Sequence, residues 1–431
     1  MPKKVISLGS NMGMGIGPMV PFSVIVLAAS FILIAVRQIG GLRLKIWQVI
    51  LIGALAVLLT GQISMQSAIS SVDWTVIAFL ICIFIVGEAF TESGYVQYIS
   101  YRIFRSAKSV DSLVLLVILS MGLASMLLLN DTLAVIGTPI VMLFATREKI
   151  NPKLMLLSLA FAVTIGSVAS PIGNPQNFLI ASSGIVKNPF PTFFSYLIIP
   201  TIINLFAAYL ILRVFYRKEF HNEPLIHAKV EIKDKRLAWL CKISFLLLVL
   251  SIMLDIALIS FNVPLQFNLS YVAVIASLPI IIFSEKRYEL IRKIDWHTII
   301  FFMALFVLVG SVWDSGFIQG IVSSMNLQIG SVPTILVVSI VGSQFISNVP
   351  MVLLYLKLLA GSSVSAAAAV ALAAGSTIAG NLFILGAASN VIIVQKAEKS
   401  HGQTLSFMDF VSVGVVLTLL NIFIYWVFLS L

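Results

Sequence analysis

The sequence predicts an all-α integral membrane protein made of two inverted repeats, with about ten transmembrane helices, two re-entrant hairpins and two broken helices. Three observations lead to this fold class. The composition is strongly apolar, two matched stretches interrupt apolar helices at corresponding places, and basic residues flank the two halves on opposite sides.

The composition excludes an ordinary soluble protein. Of 431 residues, 60% are hydrophobic and only 10% are charged, and the mean hydropathy is +1.08. Apolar runs of ~20 residues, enough to cross a bilayer, recur from end to end. The basic residues behind the net charge of +10 sit mostly in short loops, as in cytoplasmic loops of membrane proteins. The charge therefore does not indicate nucleic-acid binding.

The chain divides into two predicted repeats and two segments that precede them. The first apolar run, residues 19–36, is long for a signal peptide and lacks a cleavage site, so we expect a retained helix. The four segments are residues 1–71 (a tail and two scaffold helices), 72–216 (the first repeat), 217–293 (a cytoplasmic linker and two connecting helices) and 294–431 (the second repeat).

The two repeats begin and end their first span alike. Val72-Asp73-Trp74 opens this span in the first repeat, and Ile294-Asp295-Trp296 opens it in the second. Glu92-Ser93-Gly94-Tyr95 closes the former, and Asp314-Ser315-Gly316-Phe317 closes the latter. This recurrence indicates an internal duplication.

Each repeat continues with an apolar run that a polar tip interrupts, at residues 129–132 and 347–350. A broken helix follows, TIGSVASPIGNPQN at residues 164–177 and TIAGNLFILGAASN at residues 377–390. The two stretches align without a gap, and the matched pairs are Thr164/Thr377, Ile165/Ile378, Gly173/Gly386 and Asn177/Asn390. Two broken helices in corresponding halves are typical of the binding site of a secondary transporter.

The charges predict that the repeats have opposite orientations. Basic residues flank the first tip, whereas residues 318–331, on the matching flank of the second, carry no charge. The basic flanking residues are Arg102, Arg105, Lys108, Arg147, Lys149 and Lys153. Because basic flanks stay in the cytoplasm, the repeats enter the membrane from opposite sides. Both flanks of a tip lie on one side, so each tip is predicted to be a re-entrant hairpin.

The tips and breaks carry the candidate binding residues. Helix N-termini at membrane depth favour anions, whereas unwound carbonyls and helix C-termini favour Na⁺ or a proton carrier. Gly173 and Gly386 are expected to adopt unusual backbone angles. The candidates are Asn130, Asp131, Thr132, Ser170, Gly173, Asn174, Gln176 and Asn177 in the first half, and Ser347, Asn348, Pro350, Asn381, Gly386, Ser389 and Asn390 in the second. Na⁺ sites are expected near Asn130, Asp131 and Asn177, and near Asn348 and Asn390.

Asp131 is the most informative single candidate. A carboxylate at membrane depth is costly and indicates function. Its counterpart in the second tip is Val349, so the two sites are predicted to differ, the first being more suited to a cation or a proton. The alternative is that Asp131 caps the second helix of the hairpin. For Asn130, Asn177, Asn348 and Asn390, the alternative is capping and interhelical hydrogen bonding.

The motifs resemble those of the ArsB/NhaD branch of the ion transporter superfamily, in its citrate-transporter-like, anion-permease group. The resemblance rests on the tips NDT and SNVP, at residues 130–132 and 347–350, and on SPIGNPQN at residues 170–177, and it extends over about residues 70–430. It implies a scaffold domain, a mobile transport domain, elevator-type alternating access and a homodimer. For an arsenite pump, it would also imply a separate ATPase subunit.

We therefore expect a secondary transporter of a small anion in the cell membrane, coupled to H⁺ or Na⁺. Three alternatives stay open: an arsenite or antimonite efflux permease, a Na⁺/H⁺ antiporter, and, from another class, an ion channel. No ATP-binding loop, redox site or hydrolytic site is recognisable in the sequence. An enzyme and a cofactor are accordingly not expected.

Overall fold

The computed structural model describes residues 20–36, 45–220, 231–261, 263, 268–325, 328–360 and 364–431. The predictions for the N-terminal tail fall on residues 1–19, outside these ranges, as does part of the linker, residues 221–230. The described residues form α-helices, 3₁₀ turns and loops, and none of them lies in a β-strand. The all-α prediction is confirmed.

Twenty α-helices lie within the described ranges. The first ten are α1 (Phe22–Val36), α2 (Ile46–Leu59), α3 (Met65–Ser71), α4 (Trp74–Ser93), α5 (Tyr95–Phe104), α6 (Val110–Ala124), α7 (Asn130–Arg147), α8 (Pro152–Ser167), α9 (Pro175–Ser182) and α10 (Pro189–Phe215). The second ten are α11 (Lys235–Ser260), α12 (Leu269–Phe283), α13 (Arg287–Lys293), α14 (Trp296–Asp314), α15 (Phe317–Met325), α16 (Val332–Ile346), α17 (Asn348–Leu359), α18 (Ala366–Ile378), α19 (Ala388–His401) and α20 (Phe407–Ser430).

Five of these helices are long and apolar enough to cross a membrane, namely α4, α10, α11, α14 and α20. Shorter apolar helices accompany them, including α6 of the first predicted hairpin and both members of the second, α16 and α17. The helices adjoining the two predicted breaks, α8 and α18, are buried along nearly their whole length. The first break, residues 168–174, is buried throughout, whereas the second is buried at residues 379–381 and 386 and reaches the surface at Leu385.

The recurring sequence motifs cap the corresponding helices α4 and α14. Asp73 accepts hydrogen bonds from the N–H groups of Thr75 and Val76, and Asp295 accepts one from Thr298. Such N-caps satisfy amides that the helix itself leaves unpaired. The helices end before Gly94 and Gly316, whose φ angles of 69° and 73° lie in the left-handed region that glycine favours.

The order of α1–α10 recurs in α11–α20, and the packing is reciprocal. Helix α2 packs against α14 of the second half, and α12 packs against α4 of the first. Helix α1 packs on α2 as α11 packs on α12, and α6 packs on α8 as α16 packs on α18. The similarity between the halves therefore extends to the helices that precede the two predicted repeats.

The helices form two groups. The scaffold bundle consists of α1, α2, α4, α11, α12 and α14, and the core bundle consists of α6–α10 with α16–α20. The bundles meet where α4 contacts α7 and α9 and where α14 contacts α17. Both predicted tips and both predicted breaks belong to the core bundle.

Inside the core bundle, α6 and α8 cross at two glycines. A Cβ atom on Gly166 would lie only 2.0 Å from the carbonyl oxygen of Gly122. A contact this short with main chain cannot be relieved by rotating a side chain. The crossing places α8, and hence the first break, directly against the first hairpin.

We expect Gly166→Ala to destabilise the protein by ~1–3 kcal/mol, because overpacking against backbone forces the helices apart. Gly320→Ala is the matched control, since nothing lies within 4 Å of a Cβ atom at Gly320 in the exposed helix α15. The measurement is the thermal unfolding temperature in detergent. Equal unfolding temperatures for the two variants would contradict the close crossing.

Candidate functional site

The first break separates α8, which ends at Ser167, from α9, which begins at Pro175. Asn174 caps α9, and its Oδ1 accepts the N–H of Asn177 at 2.8 Å. Pro175 occupies the first position of the helix, where its missing N–H leaves no intrahelical bond unmade. The Asn-Pro pair therefore stops α8 from continuing and starts a new helix.

Asn177 holds the break together. Its Nδ2 donates to the carbonyl oxygens of Ser167, Val168 and Ser170 at 3.0, 3.2 and 2.9 Å. The carbonyls of Ser167 and Ser170 also accept long main-chain hydrogen bonds, from the N–H groups of Ser170 at 3.5 Å and of Gly173 at 3.4 Å, so Asn177 strengthens a turn whose backbone bonds are weak. The Oδ1 of Asn177 accepts a hydrogen bond from the hydroxyl of Thr377 at 3.2 Å. Both polar atoms of this side chain are therefore engaged within the protein.

Thr377, on α18, links the first break to the second half. Its hydroxyl donates to Asn177 and accepts a hydrogen bond from Nδ2 of Asn174 at 3.1 Å. The corresponding residue, Thr164, lies on α8 near Gly380 of the second break. Its hydroxyl is buried and finds no hydrogen-bond partner within the described ranges. The two matched threonines therefore differ in their hydrogen bonds.

The tip of the first hairpin is bonded to the first break. The N–H of Asn130 donates to the carbonyl of Gly173 at 3.0 Å, and its Oδ1 accepts the N–H of Asp131 at 2.9 Å. Thr132 faces the scaffold bundle, where a Cβ atom on Gly87 would lie 2.7 Å from its hydroxyl oxygen. The absence of a side chain at Gly87 allows the tip to approach α4.

The expectation of unusual backbone angles at Gly173 and Gly386 is wrong, since neither has a positive φ. Close approach explains both glycines. A Cβ atom on Gly173 would lie 2.5 Å from the carbonyl oxygen of Ser167 and 2.9 Å from that of Ser125. One on Gly386 would lie 2.9 Å from the carbonyl oxygen of Ala379. Each glycine lets the polypeptide fold back on its own break.

Asp131 lies in the first turn of α7 and is half-buried. The residue at the N-cap position is Leu129, and no side chain caps this helix. The interpretation that Asp131 caps α7 is therefore wrong, because Asp131 is already the second residue of the helix. Its carboxylate has no hydrogen-bond or ion-pair partner among the described residues. It remains near the positive end of the helix dipole.

The other candidates of the first half surround the break. The hydroxyl of Ser170 accepts the N–H of Ile172 at 3.3 Å, and Gln176 is buried on α9. The structure therefore brings Asn130, Ser170, Gly173, Asn174, Gln176 and Asn177 together around one break, with Asp131 and Thr132 adjoining them on α7.

The tip of the second hairpin has a strained backbone. Ser347 joins α16 to α17 with φ +67° and ψ 162°, a backbone conformation that residues other than glycine rarely adopt. Such a conformation costs ~1–3 kcal/mol and is found mainly at functional sites. Asn348 is the first residue of α17, and both it and Pro350 are buried.

The second break is built differently from the first. Two 3₁₀ turns, Ala379–Asn381 and Ile384–Gly386, separate α18 from α19. Nδ2 of Asn390 donates to the carbonyl of Gly380 at 2.7 Å, and Nε2 of Gln344, on α16, donates to the carbonyl of Ala379 at 2.9 Å. A side chain of the hairpin thus joins the tip to the break.

Several buried side-chain oxygens near the second tip and break have no hydrogen-bond partner in the described part of the chain. They are Oε1 of Gln344, Oδ1 of Asn348, Asn381 and Asn390, and Oγ of Ser389. Around the first break, the only such oxygen in the described ranges is that of Thr164. The fully buried oxygens of the first break are thus bonded except that of Thr164, although the side chain of Gln176 makes no hydrogen bond in the described ranges, whereas the second break presents several unused acceptors.

The chemistry of the site follows from this inventory. Neutral oxygens can accept hydrogen bonds or coordinate a monovalent cation. Helices α17 and α19 begin without a side-chain cap, so their first N–H groups remain available to an anion. At α7, the N–H groups of Asn130 and Asp131 are already bonded within the protein. The described ranges contain no cluster of three or more histidine, cysteine, aspartate or glutamate residues that could hold a metal ion. Asp131 is the carboxylate among the predicted site residues.

Sequence reasoning did not select Gln344 or the bridging role of Thr377. Gln344 lies four residues before Asn348 on the adjoining helix, and this spacing from the tip was a usable signal. Thr377 was recognised as a match to Thr164, but its partners, Asn174 and Asn177, lie in the other half of the chain. No local pattern could have indicated that contact.

The chain is similar to known transport proteins over most of its length. A 46 kDa membrane protein of Mycobacterium leprae is 28% identical over 84% of this chain and 87% of its own length. A silicon efflux transporter of Oryza sativa subsp. japonica is 25% identical over 86% of this chain and 89% of its own. The crystal structure of the Alcanivorax borkumensis YdaH transporter has a similar fold, with a TM-score of 0.56 at 15% identity over 95% of this chain and 96% of that one.

A family model described as "Citrate transporter" matches residues 31–375, which include both predicted tips and the first break. The match agrees with the resemblance that the tip and break motifs carry, and it assigns the chain to transporters rather than enzymes. The protein is a multi-pass membrane protein of the citrate transporter family, within the ArsB/NhaD branch of the ion transporter superfamily.

Proposed function

We propose that the protein is a secondary active transporter of a small anion in the cell membrane, driven by H⁺ or Na⁺. The observation that carries the proposal is the pair of interrupted helices inside the core bundle, each joined by hydrogen bonds to the tip of its own hairpin. Broken helices at membrane depth form the binding sites of secondary transporters.

The substrate class follows from the helix ends and from the family. The uncapped N-termini of α17 and α19 attract an anion, and the family model is described as a citrate transporter. Citrate is therefore the first substrate to test. The coupling ion would occupy the oxygen-rich positions near Asn130 and Asp131, or near Asn348 and Asn390.

A second candidate function is the efflux of an uncharged hydroxide such as arsenite or antimonite at neutral pH. The unused neutral oxygens near the second break favour it, because they can accept hydrogen bonds from hydroxyl groups. The relative from Oryza sativa is described as a silicon efflux transporter. Proteoliposome uptake of citrate, sulfate, phosphate, silicic acid and arsenite, with Na⁺ and pH gradients varied separately, distinguishes the two functions.

We also propose that the repeats are inverted, that α6–α7 and α16–α17 are re-entrant hairpins, and that the core bundle moves against the scaffold bundle as an elevator. The opposite charge flanks of the two tips support the inversion. The boundary between the bundles that would move includes the contact of Thr132 with Gly87 and the stacking of Phe79 on Phe178.

Single cysteines at Ser106 and Ser324 test the inversion. Both residues are exposed, and they lie on the basic and uncharged flanks respectively. In a background with Cys82 and Cys241 replaced, we expect a membrane-impermeant maleimide to label them from opposite sides. Retained transport of the background variant is the control, and labelling of both cysteines from one side would remove the inverted arrangement.

Asn177 and Asn390 occupy matched positions but are expected to respond differently to alanine. Asn177→Ala removes a hydrogen-bond partner of three buried carbonyls, so we expect destabilisation by ~1–3 kcal/mol or more. Asn390→Ala removes one hydrogen bond and a free oxygen, so we expect a stable protein with impaired transport. Thermal unfolding and uptake are measured on the same preparations. Equal loss of stability in the two variants would argue against ligand binding by Asn390.

Asp131→Asn tests the coupling role of the first half. The change keeps the size of the side chain and removes its charge. We expect the variant to fold and to exchange substrate, but to lose the response of uptake to a pH or Na⁺ gradient. Asp255→Asn is the matched control, because it removes a buried carboxylate from α11 of the scaffold bundle. If Asp131→Asn still concentrates substrate with unchanged ion dependence, the coupling site lies elsewhere.

A further inference from the structure

Two matched motifs in the closing helices are not explained by the tips and breaks. Thr201-Ile202-Ile203-Asn204 lies in α10, and Thr418-Leu419-Leu420-Asn421 lies at the corresponding place in α20. All four polar side chains are at most 2% exposed. Polar side chains inside apolar membrane helices are retained where they bond across helices or serve a site.

The two asparagines form a chain of hydrogen bonds with Asn381 of the second break. Nδ2 of Asn381 donates to Oδ1 of Asn421 at 3.0 Å, and Nδ2 of Asn421 donates to Oδ1 of Asn204 at 2.7 Å. Three carboxamides in line have coupled orientations, because reversing one reverses the donor and acceptor that it offers its neighbour. The chain runs from α10 of the first half to the second break.

This chain of hydrogen bonds ends next to Asn390, a candidate ligand-binding residue. Asn381 and Gly380 belong to the same 3₁₀ turn, and the carbonyl of Gly380 holds the Nδ2 of Asn390 at 2.7 Å. Oδ1 of Asn390 is one of the buried oxygens that have no hydrogen-bond partner among the described residues. On the far side of the turn, Gly414 allows α20 to approach, since a Cβ atom there would lie 2.3 Å from the carbonyl oxygen of Asn381.

The first break has no equivalent connection. In the gapless match of the two breaks, the residue corresponding to Asn381 is Val168, which has no side-chain hydrogen-bonding group. The first break is bonded across the halves through Thr377 instead. The first break is therefore bonded directly to the opposite half, whereas the second is linked to it through Asn421 of its own half.

We infer that Asn204 and Asn421 are positioning residues that fix the 3₁₀ turn of the second break and thereby orient Asn390 toward its ligand. The inference deepens the proposed function, on which it rests for the role of Asn390. Asn204 touches no ligand, and it acts through Asn421, Asn381 and Gly380. The binding strength of the second site would then depend on the position of α10, in the first half of the chain.

The test compares Asn204→Leu with Thr201→Val. Thr201 bonds to Tyr425 at 2.8 Å, so both variants lose a buried hydrogen bond between α10 and α20, but only the first interrupts the chain to the break. Asn204→Asp is the conservative variant, because its carboxyl oxygen still accepts from Asn421. Asn421→Leu interrupts the same chain of hydrogen bonds at its middle, and it replaces Asn204→Leu in the test if that variant does not fold.

The first readout is independent of transport. Leu385 is exposed in the second break, so the maleimide labelling rate of Leu385→Cys, in a background without Cys82 and Cys241, reports the conformation of the turn. We expect Asn204→Leu to raise this rate by roughly threefold or more, whereas Thr201→Val and Asn204→Asp leave it within about twofold. Equal rates in Asn204→Leu and Thr201→Val would overturn the positioning role.

The second readout is citrate uptake by the same variants, made without the Leu385→Cys substitution. We expect Asn204→Leu to raise the half-saturating citrate concentration by about 3- to 30-fold at an unchanged maximal rate. A fall in maximal rate alone, or the same change in Thr201→Val, would indicate a merely structural contact and overturn the inference. If the wild-type protein takes up no citrate, that substrate assignment fails, while the labelling rates still decide whether the chain positions the break.

Discussion

The structure depends on one constraint, which is that an interrupted helix at membrane depth must satisfy its backbone polar groups without water or lipid. The first break meets this constraint with side chains of its own sequence. Asn174 caps the new helix, Asn177 strengthens the turn that follows α8, and Thr377 completes both carboxamides from the other half. This break is a finished structural element.

At the second break, it is side-chain groups that lack partners. Five buried oxygens near it lack partners among the described residues, and each unsatisfied group costs ~1–3 kcal/mol. Their sum is comparable to the whole stability of a typical domain, ~5–15 kcal/mol. A site with so many unused acceptors must be filled by a ligand, an ion or water. At the first break, the side chains of Gln176 and Asp131 make no hydrogen bond in the described ranges and are therefore open to a ligand.

The sequence predicted the elements well because their signals are local. The Asp-Trp caps, the Ser-Gly turns and the Asn-Pro helix start each need only a few neighbouring residues, and all three lie at helix ends. The residues of the first predicted tip lie mostly in the first turn of α7. The use of individual side chains was not predictable in this way. Asn177 and Asn390 match in sequence, yet Asn177 is engaged at both polar atoms and Asn390 at one. The difference arises from partners that lie in distant parts of the chain.

The roles of two further residues could not be predicted from their neighbours in the sequence. Gly173 was expected to serve through its backbone angles, but the close passage of Ser125 and Ser167 is what requires a glycine there. Asn204 carries no signal on its own, since one asparagine in an apolar helix can have many roles. Its significance appears only when the Thr-x-x-Asn motif is compared between halves and its bonding to Asn421 is known.

The halves are alike in element order but unlike in chemistry, and this combination suits coupled transport. A carboxylate near the first tip can exchange a proton or a cation, whereas neutral oxygens near the second can hold a ligand without a change of charge. Two independent sites would let ion and substrate leak separately. Here each break is linked to the opposite half, the first through Thr377 and the second through Asn421 and Asn204. A displacement of either half would therefore alter both breaks, which is the physical requirement for linking the movement of one solute to that of another.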